Sequence, residues 1–334
     1  MNVKLIDTAY WLPNHVVSSD EVAKQTNSDP EFIKSKVGIF NRHFLKEDEG
    51  AVGMAVEASR ALLEKCPELT VENIGLVIFV TQNPDVSLPH MAGFVQAALG
   101  IPQCASFDIG LGCSGFVYAL SVAKGMMLSE GIKNALIVTS DPYSKIIRPD
   151  DRDTLTVFGD GAAAAWLSTD EAYSGGVIGR ADFGTDGSGG EHLIIQSGKD
   201  GLASSHIWAD SDEKHFKDRP KLYMNGRAVF TFMMTRVPKS LDAALEKNGL
   251  QKDDIDMWVF HQASEHMLSS LAKRYRLDKK NVPILMKDIG NTVSSSIPIA
   301  LSQINSGNKA LSRKTIMLSG FGVGLSWASV VLKF

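Results

Sequence analysis

Cysteine is scarce in this chain of 334 residues: Cys66, Cys104 and Cys113 are the three present, an odd number with no Cys-x-x-Cys pair. That excludes a disulfide framework and a thiolate zinc site, and it fits reduced thiols in a cytoplasm. An excess of positive charge is lacking too. The 34 Lys+Arg stand against 38 Asp+Glu for a net charge of −4, so no overall field holds a phosphate backbone or an anionic membrane, and neither is expected as a partner. Long hydrophobic runs are missing. The most apolar uncharged stretch, 109–123, has 15 residues and contains three glycines, short of the ~20 that cross a bilayer, and it reads as a buried helix. The opening Met-Asn-Val-Lys-Leu-Ile-Asp puts an acid where a signal peptide needs an unbroken apolar run, so no targeting signal is expected.

Hydrophobic residues make up 44% of the chain and charged residues 22%, the balance of a folded globular protein. At ~150 residues per domain, the length predicts two domains or one large duplicated one. Short β-branched runs alternate with amphipathic stretches, which predicts an α/β class with helices on both faces of a mostly parallel sheet. Strands are expected at 74–81, 135–140, 162–167, 257–260, 315–318 and 327–332, and helices at 51–64, 114–128, 227–247, 267–276 and 293–305.

These elements repeat. A helix leads into Glu72-Asn-Ile-Gly-Leu-Val-Ile-Phe-Val-Thr81, and again into Asp253-Asp-Ile-Asp-Met-Trp-Val-Phe-His-Gln262. The strand at 133–141 resembles that at 313–320, and each precedes a glycine-punctuated turn, Phe158-Gly-Asp-Gly161 and Phe321-Gly-Val-Gly324, and a last strand. Two pseudo-symmetric halves follow, 1–184 and 221–334, joined by 185–220, whose Gly, Ser, Asp and Lys suit a surface excursion.

Cys113 sits in Asp108-Ile-Gly-Leu-Gly-Cys-Ser-Gly115, where a strand ends and a small-faced helix begins. A helix N-terminus favours a thiolate, and flanking glycines admit a substrate to the backbone. Cys113 is therefore a candidate nucleophile, against the plain reading of a small buried hydrophobe that suits Cys66 and Cys104. The segment also spells G-x-G-x-x-G, a dinucleotide-binding turn if Asp141 supplied the ribose acid. A P-loop is excluded, since no Lys-Ser/Thr follows the glycines at 322–324.

His261 closes a strand at the sheet edge where α/β proteins expose catalytic groups. With His266 it makes an i, i+5 pair that shares no helix face, which argues against a metal. Asn291, in Gly290-Asn-Thr292, precedes a helix, where an ordinary cap is the plain reading. The repeat changes the weighting: Gln82 to Cys113 is 31 positions and His261 to Asn291 is 30, so Cys113 and Asn291 begin equivalent helices that a pseudo-twofold axis brings together beside His261. A thiolate accepts an acyl group from a thioester, and two neutral N–H donors hold a second thioester's carbonyl as an enolate forms on loss of CO2, with no metal or redox cofactor. A cysteine protease is the competing use of such a set, though proteases need no duplicated sheet.

Together with Gly38-Ile-Phe-Asn-Arg-His43, Tyr223-Met-Asn-Gly-Arg-Ala-Val-Phe230, His261-Gln-Ala263 and Gly320-Phe-Gly-Val-Gly-Leu-Ser-Trp327, these motifs resemble the β-ketoacyl-acyl-carrier-protein synthase III enzymes of the thiolase superfamily, almost end to end. The resemblance implies a duplicated five-layered αβαβα fold, a homodimer, Cys113 as the acylated nucleophile and His261 with Asn291 as the decarboxylation pair. It implies an oxyanion hole from the backbone N–H groups of Cys113 and Val323. It implies acyl-coenzyme A or acyl-carrier-protein thioesters as substrates, the carrier being acidic. Phe32, Lys36, Arg152 and Phe158 are the implied coenzyme-side residues, with Leu88, Met224, Gly226 and Ser264 further along the substrate path.

The chain departs from the family at several of these positions. Phe32 and Lys36 replace a Trp and an Arg, which keeps a stacking face and a charge but loses the bidentate guanidinium. Ser264-Glu-His266 replaces Asn-Leu-Arg at the carrier-facing surface, Leu88 replaces an aromatic that closes the acyl pocket across the dimer, and Val323 replaces a smaller residue. The excursion is long, and its Lys214, Lys217, Arg219 and Lys221 could meet an acidic carrier. The expected activity is decarboxylative Claisen condensation in fatty-acid-like or, given these changes, polyketide or other secondary metabolism. Transfer to an oxygen or nitrogen nucleophile, and a noncatalytic role in a heterodimer, are the alternatives.

Overall fold

The computed structural model describes residues 2–195, 222–306 and 311–334. Lys214, Lys217, Arg219, Lys221 and most of the expected excursion lie outside the described residues. From the N-terminus run β1 (Lys4–Trp11), β2 (His15–Ser18), α1 (Ser19–Gln25), α2 (Pro30–Phe32), β3 (Asn41–Phe44), α3 (Ala51–Lys65), β4 (Leu76–Val80), α4 (Met91–Leu99), β5 (Ala105–Ile109), α5 (Gly115–Glu130), β6 (Asn134–Ser140), α6 (Arg152–Leu155), β7 (Ala162–Ser168), β8 (Gly176–Ile178), β9 (Asp182–Thr185) and β10 (Leu193–Ile195). Then come β11 (Leu222–Met224), α7 (Gly226–Lys247), β12 (Met257–Phe260), α8 (Glu265–Arg274), α9 (Ser296–Asn305), β13 (Thr315–Gly322) and β14 (Ser326–Lys333).

Hydrogen bonding orders the main sheet β12-β13-β14-β8-β1-β7-β6-β4-β5, with β9 laid on β14. In one wing β4 is parallel to β6 and β6 antiparallel to β7; in the other β12 is parallel to β13 and β13 antiparallel to β14. The strands that match in sequence thus pair in the same order.

Alternation along each strand assigns its two faces. Leu76, Ile78 and Val80 of β4 share a core with Phe116 and Leu120 of α5 and with Ile297 and Leu301 of α9, whereas Val77 and Phe79 face Met54, Ala58 and Leu62 of α3. Ile316 and Leu318 of β13 join that same central core, and Met317 and Phe321 turn outward to Met233 and Leu241 of α7 and Leu268 of α8. The result is five layers, with α5 and α9 side by side between the wings. Strands covered on both faces need apolar residues throughout, and every residue of β4, β6 and β7 is buried.

β1 escapes the apolar pattern because two of its residues are charged. The Lys4 ammonium reaches the Tyr173 carbonyl at 2.9 Å, and Asp7 pairs with Lys65 at 2.9 Å, so both charges are met at the strand's margin. The stretch expected as one buried helix from 109 is divided: Ile109 ends β5 and the helix starts at Gly115. Likewise 293–295 form a tight 3-10 turn, and α9 starts at Ser296, which puts Pro298 in the first turn, where its missing N–H costs nothing. Residue 184 lies inside β9. Among the described residues no helix is long and apolar enough to cross a membrane.

Candidate active site

Cys113 occupies the turn between β5 and α5, and no side chain caps the first turn of that helix. The Ser114 hydroxyl is turned instead to Ser326 Oγ, 2.7 Å away in the other wing. The sulfur lies against the end of β13. A Cβ on Gly320 would stand 2.5 Å from the Cys113 carbonyl oxygen, and one on Gly322 would stand 2.7 Å from Cys113 Sγ, so this approach requires glycine at both positions. Burial pushes the Cys113 thiol up to about 12 and Asp141 adds to the rise, while the backbone N–H groups of Val323 and Cys113 favour the anion in the sense expected of a helix start and are outweighed.

His261 continues β12, its N–H donating to the Ser319 carbonyl at 2.9 Å. The buried ring stands edge-on to Phe321, with centroids 5.7 Å apart, and its Nδ1 is 2.7 Å from Ser296 Oγ at the start of α9. Burial drives its pKa down to about 3, although the Val293 backbone favours the charged ring, so the imidazole is neutral at physiological pH.

Asn291 is held by backbone bonds on both sides: its N–H donates to Val157 O and its carbonyl accepts from the Gly159 N–H, both at 3.0 Å. The cap-like role expected of it falls to Oδ1, which accepts the Val293 N–H at 2.9 Å. That bond sets the amide orientation and leaves the NH2 as a donor with no partner among the described residues.

Val293 links the three groups. It adopts φ 54°, a left-handed conformation rare for a β-branched residue. Its N–H meets Asn291, its backbone meets the His261 ring, and its Cγ1 would be 3.0 Å from a Cβ on Gly112, the neighbour of Cys113. The sequence offers no spacing rule that singles out Val293 or Ser296, although three serines in a row at 294–296 are a sign of a helix start under unusual hydrogen-bonding demand. Asp141 is fully buried and receives donors from Thr81, Gln82 and Ser294, so it is closed to a ribose.

The remaining residues fall into two groups. Phe158 is buried in the cluster that holds Cys113 and Val293, its ring 4.9 Å from Tyr143. Arg152 lies 5.2 Å over the exposed Phe32 ring, with Lys36 exposed on the same short helical stretch. Met224 is half-buried at the end of β11, Gly226 opens α7 with open space around it, and Leu88 is 86% exposed. The Ser264 hydroxyl caps α8, accepting the Met267 N–H at 3.3 Å. His266 stacks on Phe230, 5.6 Å between centroids, and is not paired with His261.

Residues 107–187 match the profile of 3-oxoacyl-[acyl-carrier-protein] synthase III and residues 245–334 that of its C-terminal region. A β-ketoacyl-[acyl-carrier-protein] synthase III of Caldanaerobacter subterraneus subsp. tengcongensis is 33% identical over 332 residues, 99% of this chain and 97% of its own. The chain belongs to the 3-oxoacyl-acyl-carrier-protein synthase III family. A solved synthase III superposes with a TM-score of 0.91 at 35% identity, covering 100% of both chains. The priming β-ketosynthase of the R1128 polyketide pathway superposes with a TM-score of 0.88 at 30% identity, covering 99% of this chain and 96% of its own. This synthase is accordingly an acyltransferase with the thiolase-like fold.

Proposed function

We propose that this synthase joins an acyl thioester to a malonyl-type thioester in two steps through an acyl-Cys113 intermediate. In the first, the Cys113 sulfur attacks the primer carbonyl while the N–H groups of Cys113 and Val323 hold the developing oxyanion. The carbon–sulfur bond to the carrier breaks, and the thiol proton leaves with the carrier thiol. In the second, the malonyl thioester carbonyl sits between His261 and the Asn291 NH2. Ser296 Oγ lies 2.7 Å from His261 Nδ1 and accepts the Gln262 N–H at 3.4 Å; in this reading its hydroxyl donates to Nδ1 and the ring proton is on Nε2, as the donor role requires. Loss of CO2 leaves its electron pair as an enolate held by these two donors. The enolate carbon attacks the acyl carbonyl, the Cys113 thiolate departs, and a proton from solvent restores the thiol. A neutral imidazole suits this donor role, since a charged one would not survive the burial.

The observation that supports this reading is Val293, whose backbone meets Asn291 and the His261 ring and whose side chain lies beside Gly112, the neighbour of Cys113. Arg152 over Phe32 supports a coenzyme A or phosphopantetheine entrance there, and an acidic carrier protein suits the basic 214–221 segment. The edge strand β5 has one unpaired side, and beside it Val86, Leu88 and Phe94 are 44%, 86% and 43% exposed, which supports a homodimer through that edge with Leu88 reaching the partner's site. Three free thiols support a cytoplasmic location. The changes at Lys36, Leu88, Ser264 and Val323 support a specialised pathway, polyketide priming being one.

Incubation with a panel of acyl-coenzyme A and acyl-carrier thioesters, read by intact mass, is expected to leave one acyl group on Cys113 and none on Cys113→Ala. His261→Ala and Asn291→Ala are expected to keep that adduct and lose product formation from malonyl donors; product from both variants would overturn the assignment.

A further inference from the structure

The mechanism above leaves unused a carboxylate buried between the two wings. Asp141 follows β6 directly and is fully buried. Its two oxygens divide between the wings. Oδ1 takes the Gln82 N–H at 2.7 Å and the Thr81 hydroxyl at 3.3 Å, both at the end of β4. Oδ2 takes the Ser294 N–H at 3.2 Å and the Ser294 hydroxyl, in the turn just before α9. One residue away from Asp141's partners on either side lie the groups of the site: Ser294 follows Val293, and the Gln82 amide packs on Gly112, the neighbour of Cys113.

We infer that Asp141 is a positioning residue for the decarboxylating step: it clips the Asn291–Val293 turn of one wing to the nucleophile's side of the other. This rests on the roles proposed for Cys113 and Asn291. Two further observations bear on it. A second bond, from Thr139 Oγ1 to Ser295 Oγ at 2.9 Å, joins β6 to the same turn, so Ser294 and Ser295 are both held from the 139–141 segment. The Asp141 charge also faces Cys113 and Tyr143, the other titratable groups around it, and opposes ionisation of both. Burial disfavours the Asp141 charge itself, and the donors from Gln82, Ser294 and Thr81 work against that, so the group is tied to both wings by the bonds that favour its ionised form.

The test separates the two half-reactions in the full-length protein. In Asp141→Asn the amide presents N–H to at least one donor, and in Ser294→Ala one of the four bonds, the hydroxyl's, is lost while the backbone N–H bond stays. Acylation of Cys113, followed by intact mass in a single turnover, is expected to proceed at the wild-type rate or faster in both variants. The kcat of condensation with malonyl thioester is expected to fall roughly 10- to 100-fold in Asp141→Asn, and less in Ser294→Ala, as a misplaced donor pair would cause. The double variant is expected to be no slower than Asp141→Asn alone, because both changes remove one contact. Should Asp141→Asn fail to fold, Ser294→Ala carries the test alone. Equal loss in both half-reactions, or full condensation in the folded variants while Asn291→Ala abolishes it, overturns the clip. Full condensation in Asn291→Ala itself overturns the reading of the site, a separate result.

Discussion

Burial holds the His261 imidazole neutral, and that has a consequence for stability. An unfolded histidine titrates near ~6.5, whereas the folded ring titrates at about 3, so between these values the unfolded chain binds a proton that the native one refuses. Stability conferred by this residue is therefore complete above the unfolded value and drains away as pH falls through it. Asp160, raised to about 6 by burial, has the opposite sense and gains on acidification, which is why the comparison is wild type minus His261→Gln. In urea unfolding, that difference is expected to shrink by about 2 kcal/mol between pH 7 and pH 5; a constant difference would mean a solvated ring. At this scale the sequence makes Cys113, His261 and Asn291 legible, because the repeat places them at corresponding strand and helix ends. Val293, Ser296 and Asp141 are not legible, since a left-handed valine and a carboxylate shared between distant turns exist only once the chain has folded. The rise in the thiol's pKa was not legible, because a helix start is visible in sequence and the depth of burial is not.

Among the elements, α8 follows His261 by only three residues, and its first turn depends on the Ser264 hydroxyl. Ser264→Ala is expected to cost about 1 kcal/mol in chemical denaturation while leaving Cys113 acylation by acyl-coenzyme A unchanged, as the loss of a cap would; a loss of acylation with unchanged stability would return Ser264 to substrate contact. Strands buried on both faces were readable as continuous apolar runs, as β4, β6 and β7 are. β1 was unreadable for the reverse reason, since Lys4 and Asp7 interrupt it and find distant partners in the loop at 170–173, in α3 and at the end of α9. The 3-10 turn at 293–295 was read as helix because its apolar spacing continues into α9, and tighter winding leaves no mark on that spacing.

For the molecule as a whole, the proposed homodimer rests on the β5 edge and the exposed apolar patch beside it. Leu88→Asp, a charge set in the exposed apolar patch beside it, is expected to shift the protein from dimer to monomer in sedimentation velocity and to lower acylation of Cys113 along with it; a dimer that withstands the change would put the interface elsewhere. Duplication and layering were legible because they rest on long repeated patterns. The primer was not, because the residues packed in one core with Cys113, Tyr143, Phe158 and Val293 among them, come from separate turns of the chain. The floor under the sulfur differs in kind from those residues. Gly320 and Gly322 make it bare main chain, so mutation has no side chain there to reshape, and any new one would displace the nucleophile itself. Descendants of this enzyme that acquire different acyl preferences are thus channelled toward changes around the rim of the hollow, with its base inherited unaltered.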